Sequence, residues 1–167
     1  MAEYSANAIQ TVTPNSSVIF TESPVACNRG LIFHRDESGV FRLASPRVIN
    51  GGCNSGWNVG WNTGCCCNQS MPEAMYLVTF HANIAVPTGG TVGPISLAIA
   101  IDGDPDPSST MIITPAAVEE FGNVGAEIIV AVPAICGCES VSVRNTSTGD
   151  VLVQNANLVI AYQGIRY

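Results

Sequence analysis

The sequence predicts an all-β sandwich or barrel. Runs rich in Val, Ile, Thr and Phe recur at short intervals, Gly, Pro, Asn and Ser punctuate them, and no long window carries a clean helical period. Strands are expected near Ile9–Thr13, Ser17–Phe20, Leu31–His34, Val40–Leu43, Met75–Ala85, Ile95–Ile101, Thr110–Ile113, Glu127–Val132, Ser140–Asn145, Val151–Gln154 and Asn157–Gln163.

The breakers between these runs have chemistry of their own. In Thr13-Pro14-Asn15-Ser16, Pro fixes φ and Asn or Ser can bond the backbone ahead of it, so the chain should turn there. Asp102-Gly103 is a hairpin dipeptide at the end of a strongly apolar strand. Asn145–Asp150, NTSTGD, should join two alternating strands. The one helix-like stretch is Thr114–Glu120, where Thr as N-cap, Pro at the first helical position and acids close behind favour a single turn.

A chain of 167 residues suits one domain with a single core. Residues 1–7 read as an N-terminal tail and 8–167 as the domain, interrupted by an insertion at 44–70. That insertion holds Cys53, Cys65, Cys66 and Cys67, both tryptophans, Trp57 and Trp61, and a repeated Gly-Trp-Asn, without a convincing strand. A loop of about 25 residues inside a compact domain is usually functional or mobile.

Charge excludes some partners. Only 11% of residues are charged, the formal net charge is −7, and there is no Lys. A phosphate-backbone binder needs a basic stripe, which this chain lacks, so nucleic acid is not an expected partner. No run approaches the roughly 18 apolar residues of a membrane helix, and neither a basic n-region nor an apolar h-region opens the chain. The expectation is synthesis in the cytoplasm without a signal peptide and no membrane partner. With 47% hydrophobic residues and so few charges, part of the surface should be buried between subunits.

The cysteines admit several readings. Cys53, Cys65, Cys66, Cys67, Cys136 and Cys138 are spaced C-x11-C, C-C-C and C-x-C, where a zinc knuckle needs C-x2-C, so no metal site is assigned. Disulfides formed after release from the cell fit better, within the insertion or from Cys65–Cys67 toward Cys136 and Cys138. The odd total of seven, with Cys27, leaves one thiol free or bonded between chains. Reduced, buried and inert thiols are the bland alternative. Trp57 and Trp61 are candidate stacking surfaces for sugars, or anchors of the insertion.

Asp102, Asp104 and Asp106 open like a calcium loop, but Pro107 stands where Gly is required and Ile113 where Glu is required, so they would hold a cation weakly at best. His34 and His81 both lie on expected strands, and neither has a nucleophile-elbow Ser nearby. No catalytic residue, cofactor or enzymatic activity is expected.

As an ordered set, Ala8-Ile-Gln-Thr-Val-Thr-Pro-Asn with Ser17-Val-Ile-Phe, then Met75-Tyr-Leu-Val-Thr-Phe, Leu97-Ala-Ile-Ala-Ile-Asp-Gly, Val141-Ser-Val-Arg-Asn-Thr-Ser and Ala156-Asn-Leu-Val-Ile resemble the tumour-necrosis-factor-like jelly roll. They are similar to the heads of bacterial collagen-like spore-surface glycoproteins and to small phage virion proteins. The resemblance implies a sandwich of about ten strands, assembly as a homotrimer, and a structural or display role. These 167 residues hold no Gly-X-Y repeat, and the cysteine-bearing insertion is foreign to the pattern. Three roles follow as expectations: a phage capsid decoration, cement or fibre-head protein; a disulfide-linked spore-surface or appendage subunit; or a trimeric glycan- or receptor-binding head. The final location would be a virion or spore surface, with the chain itself and a capsid or spore coat as partners.

Overall fold

A computed structural model describes residues 1–26, 31–35, 37–45, 72–133 and 138–167. Twelve strands run through these residues: β1 Ala2–Ala6, β2 Gln10–Val12, β3 Glu22–Val25, β4 Ile32–His34, β5 Val40–Ala44, β6 Glu73–Ala85, β7 Ile95–Ile101, β8 Asp104–Pro105, β9 Met111–Ile113, β10 Gly122–Pro133, β11 Cys138–Asn145 and β12 Val151–Arg166. They form two antiparallel sheets. One is ordered β10-β6-β12-β1-β3 with β2 also on β12, the other β4-β5-β11-β7-β8 with β9 also on β7. From β5 onward the chain passes back and forth between the two sheets, which is the winding of a jelly roll.

Alternation builds the core. In β6, Ala74, Tyr76, Val78, Phe80, Ala82 and Ile84 point inward and are buried. Leu158 and Ile160 of β12 lie beside Phe80 and Val78 in the same sheet, and Val141 and Val143 of β11 with Leu97 and Ile99 of β7 supply buried side chains from the opposite sheet. Aromatic rings thread the layer between the sheets: Tyr4 and Phe41 lie 4.6 Å apart, Phe41 and Phe20 5.3 Å, Phe20 and Phe80 6.5 Å.

Three sequence expectations change here. Residues 1–7 are not a tail outside the domain, because Ala2–Ala6 is strand β1, inserted between β12 and β3 with Ala2, Tyr4 and Ala6 in the core. The helical turn at Thr114–Glu120 does not form. Glu120 Oε2 accepts from the Ala116 and Ala117 amides at 2.8 and 3.0 Å, satisfying the donors a helix start would expose, and Glu119 at φ 59° redirects the chain. The stretch Ser17–Phe20 contributes isolated bridges, Ser17 to Arg144 and Phe20 to Ser38, instead of a strand. The insertion at 44–70 falls almost wholly outside the described residues.

Three turns match their sequence signals. Asp102 (φ 50°) and Gly103 (φ 88°) both take positive φ between the paired residues Ile101 and Asp104, as a two-residue hairpin turn requires. Asn15 (φ 61°) completes the Thr13–Ser16 turn, closed by Ser16 N to Thr13 O at 3.0 Å. The turn from β11 to β12 is held by buried Asn145, whose Nδ2 donates to the Val12 and Gly149 carbonyls at 2.8 Å each while its Oδ1 accepts from Ser147 N at 2.8 Å.

Candidate functional site: an apolar sheet face

The outward face of the β10-β6-β12 sheet divides into two halves. Since alternate residues of each strand fill the core, the residues between them line up in cross-strand rows on the other side. The row Ile129, Leu77, Ala161 and the row Ala131, Met75, Gly164 are apolar throughout. Ile129 is 63% exposed although it sits inside a twelve-residue strand.

Moving along the sheet, the rows become polar and bond to one another. Thr79 donates to Glu127 at 3.0 Å, with Val159 and Glu3 in the same row, and Asn157 donates to Glu3 at 2.7 Å. Asn123 donates to Asn83 at 3.2 Å. His81 is exposed here and its ring lies over Gly125, where a Cβ would meet Nδ1 at 2.7 Å. The polar half is thus bonded largely within the chain, while among the described residues nothing covers Ile129 in the apolar half. Covering such a patch would remove hydrocarbon from water.

The residues singled out in the sequence lie elsewhere. Asp102 Oδ1 accepts from Ser140 N at 2.7 Å and Ser140 Oγ at 3.0 Å, and Asp106 Oδ1 accepts from Ser108 N at 2.8 Å as the cap of a short 3-10 turn, Pro107–Ser109. These two carboxylates therefore hold turns, and Asp104 is exposed on β8. No trio of metal-binding side chains gathers among the described residues.

His34 is a packing residue. Its ring stacks on Phe41 at 4.4 Å and 12°, and Nε2 lies 2.9 Å from the Ser38 carbonyl. Cys138 is exposed at the start of β11 and in no disulfide. Cys27, Cys53, Cys65, Cys66, Cys67, Cys136, Trp57 and Trp61 lie outside the described residues.

One feature escaped sequence reasoning: a carboxyl pair formed by Asp102 and Glu139 where β7 and β11 end. A hydrogen bond to Glu139, followed by the bond from the Ser140 amide, holds Asp102 below its ordinary value. The same bond to Asp102, with burial and the Asp102 charge adding to it, pushes Glu139 up to about 7. Only the pairing of Asp102 with Ser140, which is set by the hairpin, brings these carboxyls together.

A cleft of about 460 Å3 opens at one end of the sandwich between Val86–Ile95 and Ser147–Asp150. It is lined by Gly, Pro, Ser, Thr and backbone, with Asp150 as its one carboxylate and no His or Cys. Nothing there is arranged for nucleophilic or acid–base chemistry.

No protein-family model matches the chain, and no curated protein matches it in sequence. Solved structures do match it in shape. The globular domain of the zebrafish complement 1qA protein covers 98% of this chain and 98% of its own length at 12% identity, with a TM-score of 0.55. A GH26-CBM35 β-(1,4)-mannanase of Podospora anserina covers 93% of this chain and 28% of its own length at 12% identity, with a TM-score of 0.32. A family 35 carbohydrate binding module from Clostridium thermocellum covers 90% and 97% at 10% identity, again with a TM-score of 0.32. The last two are too distant in shape to argue from. At 12% identity the first is a likeness of fold alone: the described residues form a jelly-roll sandwich similar to that complement globular domain.

Proposed function

We propose that this chain is a non-enzymatic structural protein that acts as a homotrimer on the surface of a particle, in the first place as a phage capsid decoration, cement or fibre-head protein. The observation that carries the reading is the apolar half of the β10-β6-β12 face, where exposed Ile129 lies beside half-buried Leu77 and Met75 and no described residue covers it. An exposed Ile on a central stretch of strand costs solubility unless a second copy covers it, and burying it contributes about 1.5–3 kcal/mol per subunit. The jelly-roll fold supports the same conclusion, since it presents two broad sheet faces.

The particle setting draws support from composition: few charges and no Lys, with mass hidden in an assembly. Exposed Cys138 is positioned for a cross-link that forms once the particle meets oxidising surroundings. The test is reconstitution. Wild-type protein added to particles assembled without it should bind at saturating stoichiometry and raise the temperature at which they release their contents. Failure to bind, or binding without stabilisation, contradicts the decoration role. Mass spectrometry of the particle with and without reduction should find Cys138 bridged, and a wholly reduced chain removes the cross-link.

A further inference from the structure

We propose that the outward face of the other sheet, around Arg144, binds a monoanionic hydroxy acid the size of a single sugar acid. Arg144 of β11 is clamped by two positive-φ turns. Its Nε donates to the Asn15 carbonyl at 3.1 Å, Nη2 donates to the same oxygen, and Nη1 donates to the Gly103 carbonyl. A guanidinium has five N–H donors, so two remain without a protein acceptor. All its partners are neutral: among the described residues the one ion pair is Arg166 with Glu73 at 3.1 Å. An oriented and half-buried positive charge, left uncompensated in a chain of net charge −7, is an anion anchor.

Ser142 is the second, independent observation. It is only 5% exposed, its hydroxyl makes no hydrogen bond, and it lines the same groove as Arg144. No buried side-chain oxygen among the described residues lacks a partner, so this hydroxyl reaches the groove and is free to bond a ligand there. Ser17, bridged to Arg144, also lines the groove.

At the far end stand Ser140 and Asp102. The Asp102 carboxylate takes two bonds from Ser140 and one from Glu139, which leaves acceptor capacity for a ligand hydroxyl. Val40, 49% exposed, supplies an apolar wall.

These groups define the ligand. A carboxylate suits the two free N–H groups of Arg144 and the serine hydroxyls, and a hydroxyl on the ligand donates to Asp102. The groove holds about 290 Å3, enough for one substituted six-membered ring. A single negative charge is favoured over two, because Asp102 and the acidic chain oppose a dianion. The site lies on the sheet opposite the apolar face, so it stands whether or not the trimer does.

The test is calorimetric and NMR titration of the intact protein with D-glucuronate, D-glucose and inorganic phosphate. Glucuronate should saturate in the millimolar range and shift the amides of Ser17, Gly103 and Ser142, with glucose about tenfold weaker or more. Ser142→Ala should weaken glucuronate about tenfold with an unchanged or higher unfolding temperature, and Arg144→Lys should abolish it. If Arg144→Lys fails to fold, the Ser142→Ala result decides. Absence of saturation by about 20 mM, equal binding of glucose, tighter binding of phosphate, or unaltered binding by the Ser142 variant each overturns the proposal.

Discussion

Asn145 shows how one buried polar residue fixes a turn. It is wholly buried, and its amide ties three backbone groups, from β2 and from the loop into β12. Asn145→Ala strands two carbonyls and one amide, which should cost about 2–4 kcal/mol. Chemical denaturation would measure it, and a loss near zero would mean water replaces the side chain. The Glu139–Asp102 pair makes a pH prediction. Glu139 has a folded value near 7 against an ordinary 4.5, so its contribution is fully present below 4.5 and is lost as pH rises toward 7. Asp102 acts in the opposite sense: lowered from 3.8, it stabilises above that value and its contribution fades as pH falls below it. Calorimetry of Glu139→Gln, whose amide permanently donates to Asp102, should remove the decline between pH 4.5 and 7. A variant with the wild-type slope would show the pair to be inert. None of this was legible in the sequence, where Asp102 reads as the start of a cation loop and nothing singles out Glu139. Only the strand pairing makes them neighbours.

At the scale of elements, legibility tracked side-chain pattern. Strands β6, β7, β10 and β11 alternate cleanly or run continuously apolar, so their positions follow from composition. The strand β1, AEYSA, does not: Ala, Glu and Ser have weak strand preference, and pairing with the sixteen-residue β12 on one side and the short β3 on the other imposes the conformation. A similar override fuses Val151–Gln154 and Asn157–Gln163 into the single strand β12. Asn155 at φ 52° reads as a turn residue but makes a bulge, and pairing with β6 resumes beyond it. The acids behind Thr114-Pro115 look like a helix start because the same side chain, Glu120, can satisfy the same amides without a helix. Deleting residues 1–6 tests the β1 assignment. It removes Tyr4 from the core and leaves β12 and β3 unpaired on one side, so the truncated chain should lose more than about 3 kcal/mol or fail to fold. Unchanged stability would return these residues to the status of a tail.

For the whole molecule, the all-β reading and the jelly-roll winding follow from strands that are short, apolar on one or both faces, and separated by Gly, Pro and Asn. What composition did not disclose is which face would be left apolar, because Ile129, Leu77 and Met75 come from separate strands and meet only through register. Inserting one charge there separates assembly from folding. Ile129→Glu places a carboxylate on an exposed position, so the monomer should fold with little change in stability while subunit contact is lost. The direct measurement is sedimentation equilibrium of the wild-type chain and Ile129→Glu over a range of concentrations. Wild-type protein should give three times the 17.4 kDa of one chain, and the variant a single chain. A wild-type monomer at all concentrations, or a variant that still forms trimers, contradicts assembly through the β10-β6-β12 face.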